Sequence, residues 1–238
     1  MFGWGVGDRD FYLHHTGLRP QASHPDRQID WINSAVPGYN TVNEVETLKS
    51  KLLIYDPDLV VVDYVGNDLH VPGFIRTRQP YFTVDYSFLA RFVRHSLDGL
   101  HVPDHTLQRP PDAFRTGAFE GENDLIPNAY RDLIGINAFR SAIAELQRLS
   151  QDHGFRVLFF AHRGFDAEPL AILQRAGFET LDADPVALEY LAQRGISDYL
   201  GSPLTVSVKD SHPSALYHRL LGDLLANYID NALKPQNP

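Results

Sequence analysis

Four residues at three places in this chain could together carry out acyl transfer. Asp210 and His212 stand two positions apart ahead of Pro213, which brings a carboxylate within reach of an imidazole. An imidazole is a general base near neutral pH, and a neighbouring carboxylate orients it and stabilises the imidazolium that forms. Gly38, within Val36-Pro37-Gly38-Tyr39-Asn40-Thr41, offers a backbone N–H, and Asn67, within Val65-Gly66-Asn67-Asp68, offers a side-chain amide. Both are uncharged donors suited to an oxygen that becomes negative as a tetrahedral intermediate forms. Taken singly, each place has an ordinary reading. Gly38 permits a tight turn, Gly66-Asn67-Asp68 is a turn with an Asx cap, and a histidine beside proline is a loop residue. Their order and their placement at strand ends favour the chemical reading, because ligands of open α/β sheets bind beyond the carboxyl ends of the strands.

The elements that must hold these residues follow from periodicity. The apolar run Ile29–Asn33 predicts a short strand. Thr41, with Glu44 three residues on, predicts a capping box, and Val42, Val45, Leu48, Leu52 and Leu53 continue at helical spacing to about Tyr55, before Pro57. Leu59 to Tyr64 is rich in β-branched residues and predicts a parallel strand buried on both faces. From about His70 to Pro127 the chain is rich in proline and aromatic residues and reads as a surface insertion, with a helix around Phe88–Leu97. Ile143, Leu146 and Leu149 mark a helix stopped by Gly154, and Val157–Phe160 the next buried strand. A helix over 170–176, a strand over 178–181, a helix over 186–193 and a closing amphipathic helix from about Ser214 complete the pattern. Strands alternating with helices predict an α/β domain with helices around a parallel sheet, in one domain over 1–238 with an insertion at about 70–127.

Three segments then carry a resemblance. Val-Pro-Gly-Tyr-Asn-Thr (36–41), Pro-Asp-Leu-Val-Val-Val-Asp-Tyr-Val-Gly-Asn-Asp (57–68) and Asp-Ser-His-Pro-Ser-Ala-Leu-Tyr-His (210–218) resemble, in order, blocks II, III and V of the SGNH (GDSL-type) serine ester hydrolases. The resemblance implies that Gly38 and Asn67 form the oxyanion hole, that His212 is the catalytic base and that Asp210 is its partner. It implies a three-layer α/β/α sandwich with a flavodoxin-like parallel sheet in the order 2-1-3-4-5. It also implies cleavage of a carboxylic ester, acetyl esters and acylated carbohydrates among them, through a serine acyl-enzyme, without metal or cofactor. Two features depart from the family. Block I, Gly-Asp-Ser followed by a glycine-rich stretch, is represented only by Phe2-Gly3-Trp4-Gly5-Val6-Gly7, so the nucleophilic serine and the first strand are expected ahead of Met1, which reads as a misassigned start. The family also commonly places aspartate three residues before the histidine, where this chain has Lys209. Neither Ser34 nor Ser211 stands in a nucleophile context such as Gly-x-Ser-x-Gly. Two further readings stand beside the hydrolase: an O-acyltransferase of the same fold, and a non-catalytic binding or scaffold protein that keeps the fold.

Composition narrows the partners. A net charge of -9 disfavours nucleic acid and anionic membranes and leaves a small ester as the expected partner. Zero cysteines exclude disulfides and thiolate metal sites but leave the compartment open. No apolar run reaches the roughly 18 to 20 residues of a membrane span, and the first residues lack the regions of a signal peptide, so an export signal is expected only upstream. The histidines, including His14, His15, His70, His95, His101, His105, His153 and His162, show no metal-ligand spacing, and most read as solvated or locally bonded, while His218 reads as structural. Gly3, Gly5 and Gly7 resemble a phosphate loop, but no strand precedes them and no Lys-Ser/Thr follows. In-frame translation of the codons upstream of Met1 is expected to read an apolar strand ending in Gly-Asp-Ser. An in-frame stop there would favour the non-catalytic reading.

Overall fold

The computed structural model describes residues 5–26, 28–66, 68–70, 72 and 128–233. Asn67, the helix expected around Phe88–Leu97 and nearly all of the expected insertion lie outside these residues. In chain order the described elements are α1 (Tyr12–Ser23), α2 (Thr41–Thr47) continuing through a π turn (Leu48–Leu52) and a 3-10 turn (Leu53–Tyr55), β1 (Leu59–Tyr64), a 3-10 segment (Asn128–Leu133), α3 (Gly135–His153), β2 (Arg156–Ala161), α4 (Ala167–Arg175), β3 (Glu179–Asp182), α5 (Asp184–Ala192), a hairpin of β4 (Thr205–Ser207) and β5 (Asp210–Pro213), and α6 (Ala215–Leu233).

The chain is a mixed α/β structure built on a three-stranded parallel sheet in the order β1-β2-β3. Leu59 pairs with Arg156 and Tyr64 with Ala161, while Leu158 pairs with Glu179. Alternation along β2 explains the packing, because successive side chains of a strand point to opposite faces. Val157, Phe159 and Ala161 join one apolar cluster with Val45 and Leu48, Phe139, Ile143 and Leu146 of α3, and Ile172 and Leu173 of α4. Leu158 and Phe160 join a second with Tyr12 of α1, Ala187 and Leu191 of α5, and Tyr217, Leu221 and Leu225 of α6.

Local chemistry sets the boundaries. Asp56, with φ of 49°, takes the left-handed conformation that ends the helical stretch before β1. Gly154, with φ of 78°, ends α3, its N–H bonding Ser150 O at 2.8 Å.

The structure corrects three expectations and adds a helix, α1, for which none was stated. Residues 28–36 form neither strand nor helix, and Ile32 is 54% exposed. A strand forms only against a partner edge, and β1 has β2 on one edge and no strand on the other among the described residues. The cap of α2 is Asn40, whose side chain accepts from Asn43 N–H at 3.1 Å, because the Thr41 hydroxyl is engaged by Asp68 instead. The loop expected around Asp210–Pro213 is the second strand of a hairpin. Finally, α1 arises from a stretch with weak periodicity and an internal Pro20. No helix among the described residues is long and apolar enough to cross a membrane.

The contact of α1 with α6 depends on a glycine. A Cβ placed on Gly222 would lie 2.6 Å from His15 Cβ and 2.8 Å from Tyr12 O, too close for either atom to yield without moving a helix. Gly222→Ala is therefore expected to destabilise the fold by about 1–3 kcal/mol despite alanine's better helix propensity, as measured by chemical denaturation.

Candidate functional site

Gly38 occupies a turn in which Tyr39 N–H bonds Val36 O at 3.2 Å and Gly38 has φ of 78°. Proline followed by glycine at the two central positions is the pattern of a type II turn, whose second central residue requires positive φ. The turn leads directly into α2. Because α2 runs into β1 through a short connection, its N-terminus lies at the carboxyl end of β1, and two side-chain hydrogen bonds join the two places while a third reaches the 3-10 segment before α3. Asn40 Nδ2 donates to His70 O at 2.9 Å and to Leu133 O at 2.8 Å, and Thr41 Oγ1 donates to Asp68 Oδ1 at 2.9 Å. The other carboxylate oxygen of Asp68 accepts Val65 N–H at 2.6 Å, so Asp68 is tied back to the end of β1. The loop holding Gly38 and the loop after β1 are thereby brought together, and Asn67 itself lies outside the described residues.

His212 and Asp210 stand on β5, immediately before α6. His212 Nδ1 lies 2.5 Å from Asp210 Oδ1, which also accepts His212 N–H at 3.0 Å. These donors, the backbone one first, hold the Asp210 carboxyl below the usual carboxylate range. An ionised carboxylate only accepts, so Nδ1 carries a proton in this contact, which is the tautomer a general base needs when the ring is neutral. The pair is open to solvent, with side-chain exposures of 55% for His212 and 32% for Asp210. Its position follows from α6, whose Tyr217 hydroxyl donates to His162 O just beyond the carboxyl end of β2. The three places singled out in the sequence therefore sit at the same end of the sheet. Ser34 is exposed in the irregular stretch before α2, and Ser211 is exposed on β5 beside His212.

A second carboxylate–imidazole pair was not foreseen. His162, 3% exposed, sets Nε2 3.2 Å from Asp63 Oδ1, which also accepts the Tyr12 hydroxyl at 2.8 Å. His162 is thus neither solvated nor bonded to a sequence neighbour. Its Nδ1 and both ring nitrogens of His218 are enclosed without a hydrogen-bond partner among the described residues. Burial first, and then the neighbouring His162, push the His218 imidazole down to about 4, so it stays neutral. Asp63 was the available signal, since a carboxylate inside a β-branched parallel strand has to find a partner.

Comparison of the chain with family models, with curated proteins and with solved structures yields no match.

Beside the Asn40 junction, two carboxyls are pushed above the usual carboxylate range. Burial raises the Asp68 carboxyl, against its hydrogen bonds to Val65 and Thr41, and Asp63 adds repulsion. Burial, then Asp68 and Asp63, raise that of Glu44, whose Oε2 is enclosed and unpartnered among the described residues. A carboxyl raised in the folded state stabilises fully below its unfolded value and loses that contribution as pH rises through its folded value. Glu44→Gln removes one such group. Between pH 5 and 8 its unfolding free energy, measured by chemical denaturation, is expected to fall less with rising pH than that of the parent, the gap growing by up to about 1.4 kcal/mol per pH unit for one proton.

Proposed function

We propose that this chain belongs to an ester hydrolase of the SGNH type, built as a three-layer, flavodoxin-like sandwich, whose nucleophilic serine is not among these 238 residues. The observation that carries the reading is the close Asp210–His212 pair at the same end of the sheet as the joined Gly38 and 65–70 loops. The sequential order β1-β2-β3 fits the last three strands of a 2-1-3-4-5 sheet. In the proposed reaction the serine oxygen attacks the ester carbonyl carbon while His212 Nε2 takes the hydroxyl proton. The Gly38 N–H and the Asn67 amide hold the oxyanion, and Asp210 keeps the imidazole in its Nδ1–H tautomer. His212 then protonates the departing alcohol, and a water deprotonated by the same imidazole releases the acid. Acyl transfer to a sugar hydroxyl would use the same groups, with that hydroxyl in place of water. The substrates proposed are short acyl esters, acetylated carbohydrates among them, and the reaction needs no metal or cofactor.

One observation favours a second reading. No serine of the chain stands in a Gly-Asp-Ser or Gly-x-Ser-x-Gly context, which suits a binding or scaffold protein that retains the pocket without chemistry. The two readings separate in an N-terminally extended protein that carries a Gly-Asp-Ser segment, assayed on p-nitrophenyl acetate. His212→Ala is expected to lower kcat at least about a thousandfold. Unchanged turnover would remove His212 from the reaction and sink the hydrolase assignment.

A further inference from the structure

Helix α1 lies over α6 and encloses a histidine there. His218 is 0% exposed, and both its ring nitrogens are enclosed without a hydrogen-bond partner among the described residues. Part of the cover comes from the start of α1. The Tyr12 ring stacks on the imidazole, with centroids 6.0 Å apart and planes inclined by 9°, and Phe11 meets it edge-on at 5.5 Å. One turn further along α6, the Thr16 hydroxyl of α1 donates to Gly222 O at 3.4 Å, where the missing Cβ of Gly222 lets the two helices approach.

A neutral imidazole enclosed without partners is already costly, and an imidazolium there, with two N–H donors and no acceptor, costs far more. Among the described residues, His162 opposes protonation of His218, Asp63 favours it and His15 opposes it. Asp63 already accepts the Tyr12 hydroxyl and faces His162, so its charge is shared. Of the two helices that enclose the ring, α1 is the one built to yield. It has no side-chain bond at its N-cap and carries Pro20 inside, whereas α6 runs 19 residues and buries Tyr217, Leu221, Leu225 and Ile229. We propose that α1 is a proton-released latch: on acidification it leaves α6, His218 takes up a proton in the opened state, and the loss of the Tyr12–Asp63 bond uncovers the Asp63–His162 pair. The device is independent of the ester-hydrolase reading. Its direction follows from linkage. The imidazole is held down to about 4 in the closed state against an ordinary 6.5, so its contribution to closure is complete above 6.5 and is lost as pH falls towards 4.

The test is hydrogen exchange of backbone amides in the 238-residue chain at pH 8 and pH 5, expressed as protection factors so that the intrinsic pH dependence of exchange is removed. Protection of the α1 amides is expected to fall about tenfold to thirtyfold between the two, while that of β2 and α3 changes less than about threefold. Glu44, which acts on Tyr12, titrates in the opposite sense, so the comparison includes a variant that removes His218 alone. His218→Phe keeps an aromatic ring against Tyr12 and cannot take a proton, and its α1 protection is expected not to fall at pH 5. His218→Gln serves the same comparison if the phenylalanine variant does not fold. Protection of α1 in the parent that is equal at both pH values would overturn the proposal. So would a fall shared equally by β2 and α3, which would mark global unfolding, or a fall that persists undiminished in the His218 variant, which would place the responsible proton elsewhere.

Discussion

Everything described here depends on the burial of β2 on both faces and its pairing on both edges. Val157 to Ala161 are all enclosed, odd and even positions serving opposite clusters. Each large apolar side chain so buried contributes about 1.5–3 kcal/mol. With β1 and β3 on its two edges, β2 fixes the direction and register of the sheet. The helices that cover each face then have little freedom. Helices α2 and α6 both present their N-terminal ends at the carboxyl end of the strands, as the Thr41–Asp68 and Tyr217–His162 bonds record.

That arrangement concentrates polar groups at one end of an apolar core, and their solvation separates two carboxylate–imidazole pairs of similar composition. Asp63 and His162 lie inside, bonded to Tyr12 and flanked by the neutral His218, and they tie β1, β2 and α1 together. A general base has to exchange its proton with substrate or water, which an enclosed imidazole cannot do without the fold opening. Asp210 and His212 make a shorter contact on an exposed hairpin, where such exchange is open. Burial suits the first pair to structure and exposure suits the second to chemistry.

The junction at Asn40 shows how a neutral side chain links distant segments. Its amide donates to two carbonyls of segments distant in sequence, those of His70 and Leu133. The same bonds hold the start of α2 against the end of the loop after β1 and the segment before α3. Glu44 and Asp68 work in the opposite sense, since charge on either weakens the same corner.

Much of this was legible in the residues themselves. The β-branched run at Leu59–Tyr64, the apolar run at Val157–Phe160, the stop at Gly154 and the apolar stripe of the last helix marked their elements within a residue or two, because burial periodicity and turn chemistry are local. The contact between Asp210 and His212 was implied by their spacing alone. Other features depended on partners far along the chain. Ile29–Asn33 has the composition of a strand but no edge to pair with among the described residues, and α1 lacks a strong stripe yet is held by the close approach of Gly222. The sequence alone determined which segments could form strands and helices and which side chains had the right chemistry, since those properties reside in neighbouring residues. Tertiary structure decided that Asn40, not Thr41, caps α2, that Asp63 meets His162, and that the Gly38 turn lies against the loop after β1. Each of these is a choice among competing hydrogen-bond partners that exist only once the sheet has brought distant segments to one end.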